Sequence, residues 1–511
     1  MLSKVNKNLV KKTGYTLNKL LNRQFSNLIV DSELFKTEIE DSNSQKWFAV
    51  SNPATLETLG YCPEHGVEEL RESINVAHAT FWNKGWKSWT PQARSQALDK
   101  FYDLIVKNEE DLAKLCTMEN GKSFTESKAE VKYAASFIQW FASEAVRTYG
   151  DVVPSPSPAH RLLTIRQPVG VVGIITPWNF PLAMITRKLG PALAAGCTAV
   201  IKPASETPLC AIALQKLAIE AGFPEGSINI VTTDKSVKEI GKEMCSNKKL
   251  SKISFTGSTA VGRLLMSEAG STVKRVSMEL GGNAPFIVFE DADIDNAVDS
   301  AMATKFRNAG QTCISANRFI VHSKVHDQFV ERLAMKMEQT LKVGNGMDEG
   351  VNVGPLINQK GLDKVLKHIQ NAKSSGAKLI IGGNRIGDEG TFVEPTLFTN
   401  VSKSMDIHCE ETFGPVVGVF KFENELEAVQ LANDTEFGLA SYFFSKDIDR
   451  IWRVAEQLQS GMVGINTSTL GFASTPFGGI KQSGVGVEGS KYGIDEYLSK
   501  KLLSIGVNSS L

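Results

Sequence analysis

The sequence predicts an α/β protein: a doubly wound, dinucleotide-type sheet, a second α/β unit and a small β arm. Three observations carry this. Between Pro168 and Ser277 short β-branched runs alternate with helix-length segments. A second alternating block follows from Pro285, and two pieces, Asp151–His160 and Leu498–Ile505, belong to neither block.

In the first block Val169–Ile175 reads as a buried strand, Pro181–Ala195 has helical spacing, and Thr198–Lys202 is a second strand. An Ala- and Leu-rich helix, Pro208–Ala221, is closed by Gly222. Strand Ile228–Val231, a helix near Val237–Met244, strand Ile253–Phe255, a helix from about Thr259 to Ala269 and strand Arg275–Met278 complete it. Five strands with right-handed crossovers place ligands at their carboxyl ends. The second block carries strand-like Phe286–Phe289, Arg318–Val321, Lys378–Ile381 and Val416–Phe420 between helical stretches. The expected division is a leader over 1–30, a dinucleotide unit over 31–150 and 161–284, a second unit over 285–465, and an arm from 151–160 with 490–511.

The 511 residues suffice for two or three domains whose cores need no staples. With 56 basic and 56 acidic side chains the charge balances, which argues against nucleic acid or a membrane surface as the main partner. Seven cysteines without a C-x-x-C spacing form neither a disulfide nor a zinc framework, and a reducing compartment is the natural reading. The longest apolar runs fall short of the ~20 residues of a spanning helix. The first thirty residues stand apart: Lys4, Lys7, Lys11, Lys12, Lys19 and Arg23 occur, and no acid precedes Asp31. That is the pattern of a transit peptide, with Arg23-Gln24-Phe25-Ser26 resembling a matrix-protease site, so a mitochondrial matrix location is expected.

Some motifs carry no chemistry. Gly484-Val485-Gly486-Val487-Glu488-Gly489 matches G-x-G-x-x-G, but too little chain follows to build a βαβ unit, so it reads as a turn. Gly121-Lys122-Ser123 ends like a phosphate loop, yet Cys116 stands where the first glycine must be. The histidines lack ligand spacing, and no metal is implied.

Three segments point to chemistry. The first strand runs into Thr176-Pro177-Trp178-Asn179-Phe180-Pro181, where flanking prolines and aromatics hold a carboxamide able to donate to a developing oxyanion; a lone asparagine at a turn is ordinarily a backbone partner. Strand Arg275–Met278 ends in Glu279-Leu280-Gly281-Gly282, and Glu279 becomes a general base if burial raises its pKa toward neutrality. Asn308-Ala309-Gly310-Gln311-Thr312-Cys313 is too polar for a core cysteine, and a thiolate near amide donors has a depressed pKa and is a strong nucleophile.

In this order and combination these segments resemble the aldehyde dehydrogenase superfamily, from about Phe48 onward. The resemblance implies Cys313 as nucleophile, Glu279 as general base and Asn179 as oxyanion donor. It implies NAD or NADP as cofactor, held by Thr176, Pro177, Trp178, Lys202, Ser205, Phe255, Thr256, Gly257, Ser258, Gly262, Glu411 and Phe413. Lys202 would meet the adenosine ribose, Phe255–Ser258 the pyrophosphate and Glu411 the nicotinamide ribose, with Phe413 near the nicotinamide ring. A homo-oligomer, dimer or tetramer, is implied as well.

Within the superfamily, Lys305-Phe306-Arg307-Asn308, Phe477-Gly478-Gly479-Ile480-Lys481-Gln482-Ser483-Gly484 and Gly489–Tyr497 look most like the succinate-semialdehyde dehydrogenases. That branch implies γ-aminobutyrate degradation and gives Arg187 and Arg307 to the substrate's distal carboxylate, where bidentate pairing fixes charge and distance. Structural ion pairs are the competing use of both arginines. Glutarate semialdehyde is the alternative substrate. Two positions depart from the pattern. Gly471 stands where a serine usually meets that carboxylate, leaving the third contact missing or replaced by Ser468 or Ser474; Ser315 stands where relatives carry a second cysteine, so no local disulfide can form. Ser205, in Lys202-Pro203-Ala204-Ser205, leaves NAD and NADP both open.

Overall fold

The computed structural model describes residues 47–508, and the expected leader lies outside them. Two open sheets dominate. The first has six strands in the order Gly484–Val485, Arg275–Glu279, Leu250–Thr256, Val171–Ile175, Thr198–Lys202, Ile228–Ile230. Five of the strands are parallel, and the edge strand Gly484–Val485 is antiparallel. Val171–Ile175 and Thr198–Lys202 are buried along their whole length, as parallel strands covered by helices on both faces must be.

All five strands expected in this block are present, with ends shifted by up to three residues; the sixth was read as a glycine turn. The sequence could not show that pairing. Gly484–Val485 meets Met278 and Glu279 from some two hundred residues away, and two residues carry no alternation to read.

The second sheet has seven strands in the order Lys378–Ile381, Thr396–Thr399, Val416–Phe422, Ala316–His322, Ala284–Val288, Ala440–Phe444, Met462–Ile465. Only its first pair is antiparallel. Its apolar face is built around Phe286, Phe319, Phe329 and Phe444, whose rings lie 4.8–6.4 Å from that of Phe286.

Outside both sheets, Leu498–Gly506 pairs antiparallel with His160–Pro168, which in turn pairs with Val152–Val153. The arm thus exists, but its central strand is 160–168 rather than the proline-rich 151–160, and these residues do not belong to the dinucleotide-type sheet as expected. The run His160–Pro168 mixes polar and apolar residues without a regular period and is at most half-buried, so it lacks the apolar signature of a core strand.

One helix pair positions the chemistry. Helix Phe124–Ala145 starts with a reciprocal capping box between Ser123 and Glu126, and helix Ala183–Ala195, fully buried, packs against it.

Candidate active site

The carboxyl ends of the parallel strands bring Thr176, Lys202, Thr256 and Glu279 to one edge of the first sheet, facing the Cys313 loop below the second. This loop is a strained turn. Asn308, Ala309 and Gly310 all adopt positive φ (50°, 53° and 77°), and such backbone persists where surrounding contacts over-determine it.

Those contacts are dense. The Asn308 backbone N–H donates to Glu126 Oε1 (2.7 Å), and its carboxamide donates to the Asn179 carbonyl (2.8 Å). Lys122 Nζ donates to the same carbonyl (2.7 Å) and pairs with Glu130 at 2.5 Å, both side chains being fully buried. Glu130 also accepts from the Leu182 and Ala183 amides at 2.9 and 3.3 Å. The Asn179 carboxamide donates to the Gln311 carbonyl (3.1 Å), two residues before the nucleophile candidate, which leaves its second N–H to donate elsewhere. Behind Cys313 the chain is just as close: a Cβ at Gly282 would stand 2.3 Å from the Cys313 carbonyl oxygen, so only glycine fits there.

The Cys313 thiol is half-buried, and its pKa is pushed up to about 12 by burial, with the Glu411 and Glu279 carboxylates adding to the rise. This reverses the expectation of a depressed pKa. One backbone amide, from Ile314, and the charge of Arg187 work in the opposite direction but do not offset desolvation. At rest the sulfur is therefore a neutral thiol, and its activation requires a proton acceptor. Glu279 is placed to be one: it is buried, neither of its carboxylate oxygens has a hydrogen-bond partner among the described residues, and burial together with the Glu488 charge raises its pKa well above the ordinary value.

The sites expected for a dinucleotide fit one. Helix Thr259–Gly270 begins at Ser258 with no side-chain cap, so its first amides are free to receive an anion, and the buried Thr256 hydroxyl beside them has no partner among the described residues. Gly262 lets this helix approach Leu280 closely, and Phe255 is buried behind the turn. Lys202 is buried at its strand end with its pKa lowered by burial, and Ser205 lies within 3.4 Å of the Glu206 carboxylate. Across the cleft, Glu411 accepts from the Gly282 amide (3.1 Å), and burial raises its pKa to about 7. Phe413, at φ 55°, meets Trp178 edge to face at 5.5 Å, joining the loop after Glu411 to the turn of Thr176, Pro177 and Asn179.

The two expected arginines differ. Arg307 is exposed, with its guanidinium 4.8 Å from the centre of the Phe180 ring. Arg187 is buried between the rings of Phe477 (4.0 Å) and Phe137 (5.3 Å), and its Nε lies 2.6 Å from Glu488 Oε2. That contact is close but out of line, so Arg187 Nε and Nη2 keep unspent donors. Lys188 shares the same carboxylate. Two cations thus face one buried anion, which Lys188 and Arg187 hold below the ordinary carboxylate pKa against the upward push of burial.

Glu488, Lys188, Lys122 and Glu130 were not legible as site residues. Glu488 lies in what reads as a glycine turn, and Lys122 in a failed phosphate loop; apart from the Lys122–Glu130 pair itself, their partners lie from about fifty to three hundred residues away.

Comparison with known proteins accords with this geometry. The profile described as "Aldehyde dehydrogenase family" matches residues 39–503. The chain is 50% identical over 483 residues to glutarate-semialdehyde dehydrogenase of Pseudomonas putida, covering 93% of this chain and 99% of that one. It is 51% identical over 460 residues to mitochondrial succinate-semialdehyde dehydrogenase of Rattus norvegicus, covering 90% and 88%. The crystal structure of succinate-semialdehyde dehydrogenase from Burkholderia pseudomallei superposes with a TM-score of 0.89 at 51% identity, covering 91% of this chain and 95% of that one.

Proposed function

Since this chain belongs to the aldehyde dehydrogenase family, whose cofactor is NAD or NADP, we propose that it oxidises succinate semialdehyde to succinate. The observation that carries the substrate class is the pair of buried cations near Cys313: Arg187 and Lys188 share the Glu488 carboxylate, and Arg187 retains unspent donors. A distal carboxylate completes that set. Glutarate semialdehyde, one carbon longer, is the second reading, favoured by the missing side chain at Gly471 and by the P. putida relative.

In this reading the Cys313 sulfur adds to the aldehyde carbon as Glu279 receives the thiol proton. The carbonyl oxygen becomes an oxyanion, held by the Asn179 carboxamide and the Cys313 backbone amide. Thr256, the Ser258 turn, Lys202 and Glu411 hold the dinucleotide, which when bound supplies the acceptor for the hydride. Once Glu279 has released the thiol proton to solvent, water attacks the resulting Cys313 thioester and gives its proton to Glu279; the departing thiolate takes that proton back, releasing the acid and restoring the thiol.

The arm, with Val152, Leu502 and Ile505 exposed on a three-stranded sheet, supports a homo-oligomer, dimer or tetramer; sedimentation of the intact chain checks it. The basic leader supports delivery to the mitochondrial matrix, tested by N-terminal sequencing of the protein recovered from fractionated cells. Substrate and cofactor are tested together by initial NADH and NADPH production with succinate semialdehyde, glutarate semialdehyde and butanal. A catalytic preference for the carboxylated aldehydes is expected; equal efficiency with butanal would end the proposal.

A further inference from the structure

Helix Phe124–Ala145 presents Tyr133 and Phe137 one turn apart on the same face, their rings packed edge to face at 4.9 Å. Phe137 lies beneath the Arg187 guanidinium. Tyr133 therefore stands next to that guanidinium, and its hydroxyl lies within electrostatic reach of Arg187, Arg307 and the Cys313 sulfur. This hydroxyl makes no hydrogen bond among the described residues. In the loop between Asn466 and Pro476, Gly471 comes up against it: a Cβ there would stand 3.0 Å from the phenol oxygen and 3.5 Å from the ring carbon that bears it. Any side chain at 471 would press on the hydroxyl or cover it. Ser474, by contrast, is exposed.

We propose that the Tyr133 hydroxyl is a third contact to the distal carboxylate of the substrate, and that Gly471 is glycine because that hydroxyl must stay uncovered. Tyr133 donates one hydrogen bond to a carboxylate oxygen while the two guanidiniums supply charge, so the position that resembles a serine contact in relatives is served here from the opposite wall. The space left by the missing side chain lengthens the tail pocket, which makes room for a five-carbon as well as a four-carbon semialdehyde. This rests on the carboxylated-aldehyde reading above.

The test is kcat/KM for succinate semialdehyde, glutarate semialdehyde and butanal in the wild type, Tyr133→Phe, Gly471→Ala and the double variant. A hydrogen bond to a charged group predicts that Tyr133→Phe lowers the semialdehyde-to-butanal ratio about tenfold, carried by KM. Gly471→Ala lowers the same ratio for the four-carbon substrate, where it acts through the hydroxyl and adds nothing in the Y133F background, and it lowers the five-carbon ratio further in both backgrounds because it shortens the tail pocket. An unchanged ratio in Tyr133→Phe, in a wild type that does prefer semialdehydes, overturns the inference and leaves the substrate class standing. Fully additive effects of the two substitutions on the four-carbon substrate overturn the link to Gly471. A wild type without the preference overturns the substrate class itself.

Discussion

The two walls of the cleft are built on opposite principles. Around the Asn179 backbone the polar groups are paired: Lys122 and Asn308 on its carbonyl, Glu126 on the Asn308 amide, Glu130 on Lys122, with one N–H of its carboxamide on the Gln311 carbonyl and its Oδ1 and second N–H left without a partner among the described residues. Around Arg187 the polar groups outnumber their partners, with unspent donors on the guanidinium, a free hydroxyl on Tyr133, and one carboxylate between two cations. A wall whose bonds are already made holds reacting atoms still, which suits a group that must meet charge developing in any aldehyde. A wall with bonds left over is completed by a ligand, which suits selection among aldehydes.

Variants break or sharpen this contrast. The largest effect is expected on the wired wall. Lys122→Met strands the Glu130 carboxylate in a fully buried place, which should cost about 3–5 kcal/mol of stability, read as a lowered urea midpoint. Unchanged stability would mean that the pair does not hold the turn. Asn179→Ala should lower kcat about 10²–10³-fold for semialdehydes and butanal alike, with little change in KM; a loss confined to semialdehydes would merge the two walls into one. On the open wall, Arg307→Met should raise KM for semialdehydes only about fivefold, the ~1 kcal/mol of an exposed ion pair. An equal loss with butanal would remove Arg307 from the tail pocket.

The thiol gives a pH-dependent test. With its pKa at about 12, Cys313 in the cofactor-free protein should react with iodoacetamide about ten times faster for each pH unit from 7 to 10, because the thiolate fraction grows by that factor. A plateau below pH 9 would show the thiol already ionised. Glu279 sets the activity limb: its raised pKa means the base is protonated in mild acid, so turnover should rise with pH through a midpoint well above the usual carboxylate value.

Much of this arrangement was legible in the sequence. The strands Val171–Ile175, Thr198–Lys202 and Arg275–Glu279 announce themselves by apolar or β-branched runs, and their carboxyl ends and the turns after them hold Asn179, Lys202 and Glu279 at predictable places. Local pattern failed where the decisive partner is remote. Glu488 lies in what reads only as a glycine turn, yet it is buried against Arg187 and Lys188, three hundred residues earlier. Tyr133 reads as one aromatic on a helix face; only the return of the chain at Gly471 gives its hydroxyl a setting. The Cys313 pKa failed for another reason, since the polar sequence around it says nothing of how completely packing removes water.

The central claim is a covalent bond between Cys313 and the substrate's carbonyl carbon, and the Glu279→Gln variant at pH 10, where a fraction of the thiol ionises without its base, isolates it by slowing release. Mixed with semialdehyde and oxidised dinucleotide and then acid-quenched, it should form close to one equivalent of reduced dinucleotide per active site in a burst, with the Cys313 peptide carrying one acyl group by mass spectrometry. Reduced dinucleotide accumulating without a burst, from a protein whose Cys313 peptide stays unmodified, would contradict the account.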